Sequence, residues 1–304
     1  MLLALKIDID TVAAARSSTP KLIELLQHHQ AQASFYFALG PDRSGRSNGP
    51  LFRIGEHRSQ QTINRRLSGP RGLARLYGNV LPAPLLARQA QAEMKQVQQA
   101  GFELGFTAWD RVNWVKLAQQ ADEAWYQQEI ATANAAFASL FGHPARSMAA
   151  PLWRASRPLF RLQQRMGMRF GSDCRGHGPF LPVVDGEPVA IAQLPTTLPL
   201  LQELIGADGL TEQDAVQQLL RLSRTTPPYG HVFTIHAGSD CGKRLPLLQA
   251  LLAGWQEQGY RLVSLQQLFD TLDASTLPWH TLEQQSWEGF AGKLASQGQP
   301  FPPT

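Results

Sequence analysis

The sequence is poor in cysteine and has no long hydrophobic run. Cys174 and Cys241 are the only cysteines among 304 residues, and two cysteines in so long a chain do not form the disulfide framework of a small secreted domain. No apolar run reaches the roughly 18 residues that a membrane helix needs. We also expect no secretory signal peptide, because the first residues lack a basic segment and a small-residue cleavage site. These absences predict a cytoplasmic globular protein with two free thiols.

Lysine is also scarce, since only 6 of the 28 basic residues are lysine and the other 22 are arginine. Eight arginines lie in the stretch Arg43–Arg75, where Glu56 is the only acidic residue and large apolar side chains are interleaved. This pattern suits an anionic membrane surface or a lipid phosphate, but it is equally typical of a solvated loop. The sequence has no recognition-helix pattern and no series of stacking aromatics, so we do not expect it to bind nucleic acid.

Apolar strands and helices alternate along the chain. Candidate strands lie at Leu2–Asp10, Ala33–Leu39 and His231–His236. The first helix is predicted to open at Ser18, where a capping residue comes shortly before Pro20. About seven or eight strand–helix units predict an α/β fold in which parallel strands close into a barrel surrounded by helices.

The domain organisation follows from this alternation. We expect a single barrel domain over residues 1–275, with an arginine-rich insertion at about 41–84, and a C-terminal extension over residues 276–304. The last segment, Gln297–Thr304, is rich in glutamine and proline and is predicted to be frayed.

Acidic and basic side chains lie where predicted strands end. Asp8 and Asp10 end the first strand, and a spacing of two places both carboxylates on one face. Two carboxylates this close share a proton or a cation, so that one can act as a base while the other holds a metal; a helix cap or an ion pair is the structural alternative. His236 ends another strand and suits proton transfer if it converges with the aspartates, although most lone histidines are hydrogen-bonded structural residues.

Six short motifs occur in order along the chain: KIDIDT, GFTAWDRVNW, WRAS, GSDCRG, LPTTLP and FTIHA. Together they resemble the polysaccharide deacetylases of the nodulation-factor type, from Ile7 to about Gly298. GSDCRG and LPTTLP are most similar to the branch of the family that deformylates 4-deoxy-4-formamido-L-arabinose-phosphoundecaprenol, a lipid-linked aminosugar of lipid A modification. The resemblance implies a distorted (β/α) barrel of about seven parallel strands, and hydrolysis of a carbohydrate amide at the inner face of the cytoplasmic membrane.

The resemblance also implies roles for individual residues. Asp8 matches the catalytic base, His236 the general acid and Arg154 the arginine that orients the base. Asp10 matches a ligand of the divalent metal, which is zinc, cobalt or manganese in the family.

A second group of residues is implied to bind the sugar. Asp173 and Arg175 match the fourth motif of the family. Trp109 and Trp153 flank these site residues and are expected to wall the sugar pocket, although buried tryptophans are more often plain core.

The second motif departs from the family at both of its metal-binding histidines. The deformylase branch reads HAWDH there, whereas this chain reads TAWDR, with Thr107 and Arg111 at the histidine positions. Of three protein ligands only Asp10 remains, and catalytic zinc sites normally have three. Asp110 or His177 could substitute. A more economical solution is an ion pair between Asp10 and Arg111, because an unpaired buried charge costs several kcal/mol.

Two functions therefore remain open. The overall resemblance favours a deformylase or deacetylase that acts on a lipid-linked aminosugar with a divalent metal. The altered second motif favours a pseudoenzyme whose metal is weak or absent and which binds a lipid-linked sugar or a partner enzyme. In both cases the arginine-rich stretch is expected to offer contact with an anionic membrane.

Overall fold

The computed structural model describes residues 1–46, 72–225, 227–288, 290 and 292–302. Most of the arginine-rich stretch, residues 47–71, therefore lies outside the described residues. The strands of the described chain are β1 (Leu2–Ile9), β2 (Ser34–Phe37), β3 (Glu103–Phe106), β4 (Ser147–Met148), β5 (Phe170–Gly171), β6 (Leu181–Val184), β7 (Glu187–Pro188), β8 (Ala192–Gln193), β9 (His231–His236), β10 (Arg261–Val263), β11 (Trp279–Ser286) and β12 (Lys293–Pro300). Its α-helices are Val12–His28, Leu86–Gln89, Gln91–Gln99, Arg111–Leu117, Glu123–Phe141, Arg157–Arg165, Leu201–Leu204, Glu212–Leu222, Ala237–Asp240, Leu245–Glu257 and Leu265–Phe269.

Eight of the described strands run parallel in one curved sheet. Their order is β10-β1-β2-β3-β4-β5-β8, and β9 pairs with β1 outside this path. The two ends of the sheet meet where the backbone N–H of Thr197, shortly after β8, donates to the carbonyl of Val232 in β9 at 3.0 Å. The sheet thus curls into a distorted (β/α) barrel, which confirms the predicted fold class.

Strand β1 explains why charged residues meet inside the barrel. Successive side chains of a strand point to opposite faces. Leu5 and Ile7 pack in the large hydrophobic core that includes the helices. Lys6 and Asp8 share the other face with Ala4, which packs in a separate cluster of residues from several strands of the barrel. All five side chains are buried, so the sequence places two charges at the axis of the barrel.

The first helix begins earlier than predicted. It spans Val12–His28, and the hydroxyl of Thr11 accepts a hydrogen bond from the backbone N–H of Ala14 at 3.1 Å. The prediction of a start at Ser18 is therefore wrong, and Pro20 lies inside the helix. Proline removes one backbone donor, but the cap at Thr11 allows the helix to start directly after β1.

A second sheet is formed largely by the C-terminal residues, in the order β12-β11-β6-β7. Strands β11 and β12 form an antiparallel hairpin, here called the C-terminal hairpin (residues 279–300). The backbone of Gln297 donates to the carbonyl of Arg175 at 2.8 Å, and its side chain accepts from the backbone N–H of His177 at 2.9 Å. The backbone N–H of Phe301 also donates a hydrogen bond to the carbonyl of Trp279. The predicted fraying of Gln297–Thr304 is therefore wrong for its described residues. The domain boundary near residue 275 stays a prediction.

Two expectations from composition concern membranes and thiols. Among the helices of the described residues, none is both long enough and apolar enough to cross a membrane. Cys174 and Cys241 are buried free thiols. The chain is thus held together by packing and hydrogen bonds over the residues described.

Candidate active site

The ends of the adjacent strands β1 and β9 bring an aspartate and a histidine together. Asp8 and His236 are register partners in the two strands. The Oδ2 atom of Asp8 lies 3.9 Å from Nδ1 of His236, and both side chains are almost fully buried. The convergence on which a catalytic role for His236 depends is therefore present.

Burial sets the protonation of this pair. Burial, with a smaller contribution from the charge of Asp10, raises the pKa of Asp8 to about 7, although Lys6 and Arg111 oppose the shift. Burial is also the main reason that the pKa of His236 lies well below its usual range, and the neighbouring cations lower it further. At neutral pH His236 is therefore uncharged, and Asp8 is close to its midpoint.

Lys6 is a site residue that the sequence reasoning missed. Its side chain is fully buried, and Nζ donates to the carbonyl of Ser172 at 3.2 Å while lying 5.2 Å from the ring centroid of Trp153. Burial lowers the pKa of Lys6, although Asp8 and Asp173 act in the opposite direction. The signal was available, because Lys6 and Asp8 are two residues apart on one strand and so share a face.

The second motif forms an ion pair across the neighbouring strand ends. Arg111 is the first residue of its helix, which begins where the carboxylate of Asp110 accepts from the backbone N–H of Asn113 at 3.1 Å. From this position Nε of Arg111 lies 2.6 Å from Oδ2 of Asp10, and both side chains are mostly buried. The predicted pair between Asp10 and Arg111 is confirmed.

The residues present do not fit a divalent metal ion. In the part of the chain that the structure describes, no three His, Cys, Asp or Glu side chains are grouped to hold one. A cation beside Asp10 would meet the guanidinium of Arg111 at contact distance, and Thr107 offers only a neutral buried hydroxyl. Asp110 pairs with Arg43 at 2.6 Å, and His177 packs against the ring of His280. Asp110 is therefore engaged with a cation, and no contact between His177 and Asp10 is found in the part of the chain that the structure describes.

Asp173 anchors the interior of the barrel. Its fully buried carboxylate accepts from the backbone N–H of Ala150 and from the amide of Gln163, each at 2.7 Å. Burial raises its pKa to about 6. Each oxygen of the carboxylate thus has a partner within the protein, and its role in binding substrate stays a prediction.

Arg175 is held between two indoles. Its guanidinium carbon lies 4.8 Å from the ring centroid of Trp153 and 4.6 Å from that of Trp287. It also forms an ion pair with Glu203 at 2.7 Å. Trp287 follows strand β11, so the C-terminal hairpin covers a residue that the sequence assigned to substrate binding.

Trp153 is the centre of this arrangement. It and Leu152 have left-handed backbone conformations, with φ of 52° and 50°, which cost energy in residues other than glycine and are often found at functional sites. The indole N–H of Trp153 donates to the hydroxyl of Thr196 at 3.1 Å, and its ring meets His236 edge-on at 6.3 Å. Phe290 packs on it at 6.0 Å.

Arg154 and Trp109 contact other parts of the chain. The guanidinium of Arg154 donates to Oε1 of Gln119 at 2.8 Å. Trp109 packs against Gly40, whose backbone N–H donates to its carbonyl at 2.9 Å. Their assigned roles in orienting the base and walling the sugar pocket stay predictions.

The site is closed in this conformation. Asp8, His236 and Arg154 are each less than a tenth exposed. The cavity beside Asp10 and Arg111 measures only about 20 Å³, which is enough for one water molecule. A sugar therefore cannot reach these residues unless part of the covering structure moves.

Comparison with known proteins identifies the family. The family model for polysaccharide deacetylases matches residues 3–171, which is more than half of the chain. The chain belongs to the polysaccharide deacetylase family. This member is 31% identical over 270 residues to a probable 4-deoxy-4-formamido-L-arabinose-phosphoundecaprenol deformylase, ArnD, of Shewanella sediminis, with 88% of this chain and 86% of the relative covered.

Solved structures share the fold of this polysaccharide deacetylase. One from Mycobacterium smegmatis, described as a polysaccharide deacetylase, has a TM-score of 0.61 at 13% identity and covers 94% of this chain and 95% of its own. BA3943 from Bacillus anthracis, described as a CE4 family pseudoenzyme, has a TM-score of 0.52 at 13% identity and covers 88% and 65%. At such identities these neighbours support the barrel and nothing finer.

Proposed function

We propose that this family member binds a lipid-linked aminosugar and does not hydrolyse it by the metal-dependent chemistry of its family. The observation that carries the proposal is the contact of 2.6 Å between Arg111 and Asp10. The guanidinium neutralises the carboxylate that the resemblance assigns to the metal, so the site is electrostatically balanced by the protein alone.

The substrate class comes from the relatives. The similarity to ArnD of Shewanella sediminis covers 88% of this chain, and that relative is described as acting on 4-deoxy-4-formamido-L-arabinose-phosphoundecaprenol. The interior of the barrel keeps buried polar contacts although the metal ligands have changed, since Asp173 accepts a hydrogen bond from Gln163 and Arg175 pairs with Glu203. A ligand of the same class, a phosphorylated lipid carrying an amidated aminosugar, is therefore the expected occupant.

Amide hydrolysis without a metal is the second candidate, and the pair of Asp8 and His236 favours it. Asp8 is near its midpoint at neutral pH, so it can accept a proton from a water molecule. His236 lies 3.9 Å away and can pass a proton to a leaving amine only after it has gained one. Arg111 is committed to Asp10 and does not polarise the amide carbonyl, so we expect this route to be slow.

One experiment separates the two candidates. The full chain is incubated with 4-deoxy-4-formamido-L-arabinose-phosphoundecaprenol in detergent micelles, while ligand binding and formate release are both measured. We expect binding without formate. Formate release that disappears in Asp8→Asn would establish the hydrolase instead, and absence of both binding and release would refute both candidates.

The location of the protein is part of the same proposal. We propose that the protein lies in the cytoplasm at the inner face of the membrane, with the stretch Arg43–Arg75 as the contact. Arg43 is one-third exposed and pairs with Asp110, so only the exposed part of its side chain is available to a lipid phosphate. Sedimentation with vesicles of anionic and of neutral lipid tests this contact: equal binding to both would contradict it.

A further inference from the structure

A groove of about 670 Å³ runs along the outside of the barrel, between the start of the helix Arg157–Arg165 and the C-terminal hairpin. It is much larger than the cavity beside Asp10, and it shares with the site described above the residue Gln119, the partner of Arg154. The residues that matter below are Gln119, Arg157, Pro158, Phe160, Leu282 and Lys293. A groove of this size is typical of a site for a small ligand.

The lining of the groove is positively charged. It contains two cations, Arg157 and Lys293, and its described residues include no acid. Arg157 pairs with Asp185 at 2.8 Å, but both side chains are more than half exposed, so this pair is weak and exchangeable. Lys293 is exposed and forms no ion pair with any residue that the structure describes. The groove therefore suits an anion.

The buried cation Arg154 contacts Gln119, one of the residues that line the groove. Arg154 is 6% exposed, and its guanidinium has no carboxylate partner among the described residues. Its bond goes to Oε1 of Gln119 at 2.8 Å, while the amide nitrogen of Gln119 donates to the carbonyl of Lys293. Burial without a counter-ion lowers the pKa of Arg154. An anion in the groove would lie one side chain away and would compensate this charge.

The remaining wall combines apolar side chains with amides and a hydroxyl. Pro158, Phe160 and Leu282 line the same groove as the two cations. Phosphate groups are bound by arginine and lysine, and a hydrocarbon chain is bound by burial of apolar surface. A prenyl phosphate combines both chemistries, and it is the lipid carrier of the ligand proposed above.

We infer that this groove binds the phosphate and the first isoprene units of a prenyl phosphate, with Lys293 and Arg157 holding the phosphate and Pro158 and Leu282 contacting the chain. The inference rests on the proposed function only in naming the lipid carrier of that ligand. The bond between Arg154 and Gln119 connects the groove to a residue of the site inside the barrel.

Calorimetric titration of the full chain with farnesyl phosphate, farnesol and inorganic phosphate tests the inference. We expect farnesyl phosphate to bind at least about tenfold more tightly than either of the other two. Farnesol that bound as tightly as farnesyl phosphate would show that the groove does not recognise the phosphate. Inorganic phosphate that bound as tightly would show that the groove does not recognise the hydrocarbon chain. If farnesyl phosphate did not bind, the inference would be overturned.

Matched charge reversals assign the binding to the groove. Lys293→Glu is expected to weaken farnesyl phosphate binding by about tenfold or more, whereas Lys243→Glu, which reverses an exposed lysine in another segment, leaves it unchanged. Unchanged binding in Lys293→Glu would overturn the inference, and Arg157→Gln repeats the test should Lys293→Glu fail to fold. Since farnesyl phosphate carries no sugar, the result is independent of sugar binding or hydrolysis.

Discussion

Two pairs of ionisable side chains lie at the same end of the barrel and differ in their contacts. Asp8 and His236 are held on adjacent strands at 3.9 Å, without a direct hydrogen bond between them. Asp10 and Arg111 are in contact at 2.6 Å. The first pair retains groups that could move protons, whereas the second pair joins opposite charges in direct contact. This difference supports our proposal that the proton-transfer half of the family site has been kept and that an internal ion pair has replaced the metal-binding half.

The largest expected effect is a pH-dependent change in stability that is caused by Asp240, the hydrogen-bond partner of the His236 backbone. Oδ2 of Asp240 accepts from the backbone N–H of His236 at 2.7 Å, and burial raises the pKa of Asp240 to about 7. The unfolded chain releases this proton near pH 4, so it binds fewer protons than the folded chain between pH 4 and 7. The free energy of unfolding therefore falls as the pH rises through this window, by up to about 4 kcal/mol for this group.

Asp240→Asn should remove that loss, because the amide cannot ionise and its oxygen can still accept the bond. Urea denaturation at pH 4.5 and pH 7.5 measures the difference, and Asp208→Asn on an exposed turn controls for the change in net charge. If the free energy of unfolding of Asp240→Asn depended on pH as strongly as that of the native chain, ionisation of Asp240 beside His236 would not be the cause of the loss.

The next effect concerns the other pair. Arg111→Ala leaves the carboxylate of Asp10 mostly buried beside Asp8 without its counter-ion, so we expect the free energy of unfolding to drop by about 3 kcal/mol. Arg157→Ala breaks a pair that is more than half exposed and should cost less than about 1 kcal/mol. Equal effects in the two variants would mean that the Arg111 pair is not a buried substitute for a metal.

A smaller effect than that of Arg111→Ala is expected at Arg43. Its pair with Asp110 is one-third exposed on the arginine side, but the carboxylate is buried and, among the described residues, keeps only the hydrogen bond from the backbone of Asn113, so Arg43→Ala should lower the free energy of unfolding by about 1–2 kcal/mol. If Arg43→Ala lowered the free energy of unfolding as much as Arg111→Ala, the pair of Arg43 and Asp110 would also have to be counted as a buried ion pair of the altered site. Thermal and urea unfolding of the two variants side by side would decide this.

Much of the fold could be predicted because it is recorded locally. The alternation of strands and helices gave the barrel, and the spacing of two gave the shared face of Asp8 and Asp10. The start of the first helix was misplaced because Pro20 is a strong local signal, whereas the cap at Thr11 is a single hydroxyl. The end of the chain was misread because the partners of Gln297 lie about 120 residues away, at Arg175 and His177.

The sequence could predict which residues form the candidate site, but it could not predict how the surrounding chain covers them. The pair of Asp10 and Arg111 followed from the resemblance together with charge balance, since the family motif places Arg111 at the position of a metal-binding histidine and Asp10 at that of a metal ligand. Nothing local to WRAS indicates the left-handed backbone at Leu152 and Trp153, which depends on packing around the indole. The coverage of Trp153 and Arg175 by the C-terminal hairpin likewise depends on contacts between distant segments.

The most direct test of the central claim is metal stoichiometry. The full chain is purified without chelator and without a histidine tag, dialysed against zinc, cobalt or manganese, and its bound ions are counted beside those of Thr107→His/Arg111→His. We predict no tightly bound ion in the native chain and about one ion per chain in the double variant, which has the three protein ligands of a catalytic site. About one tightly bound ion in the native chain would contradict the account, because Arg111 would then not have replaced the metal.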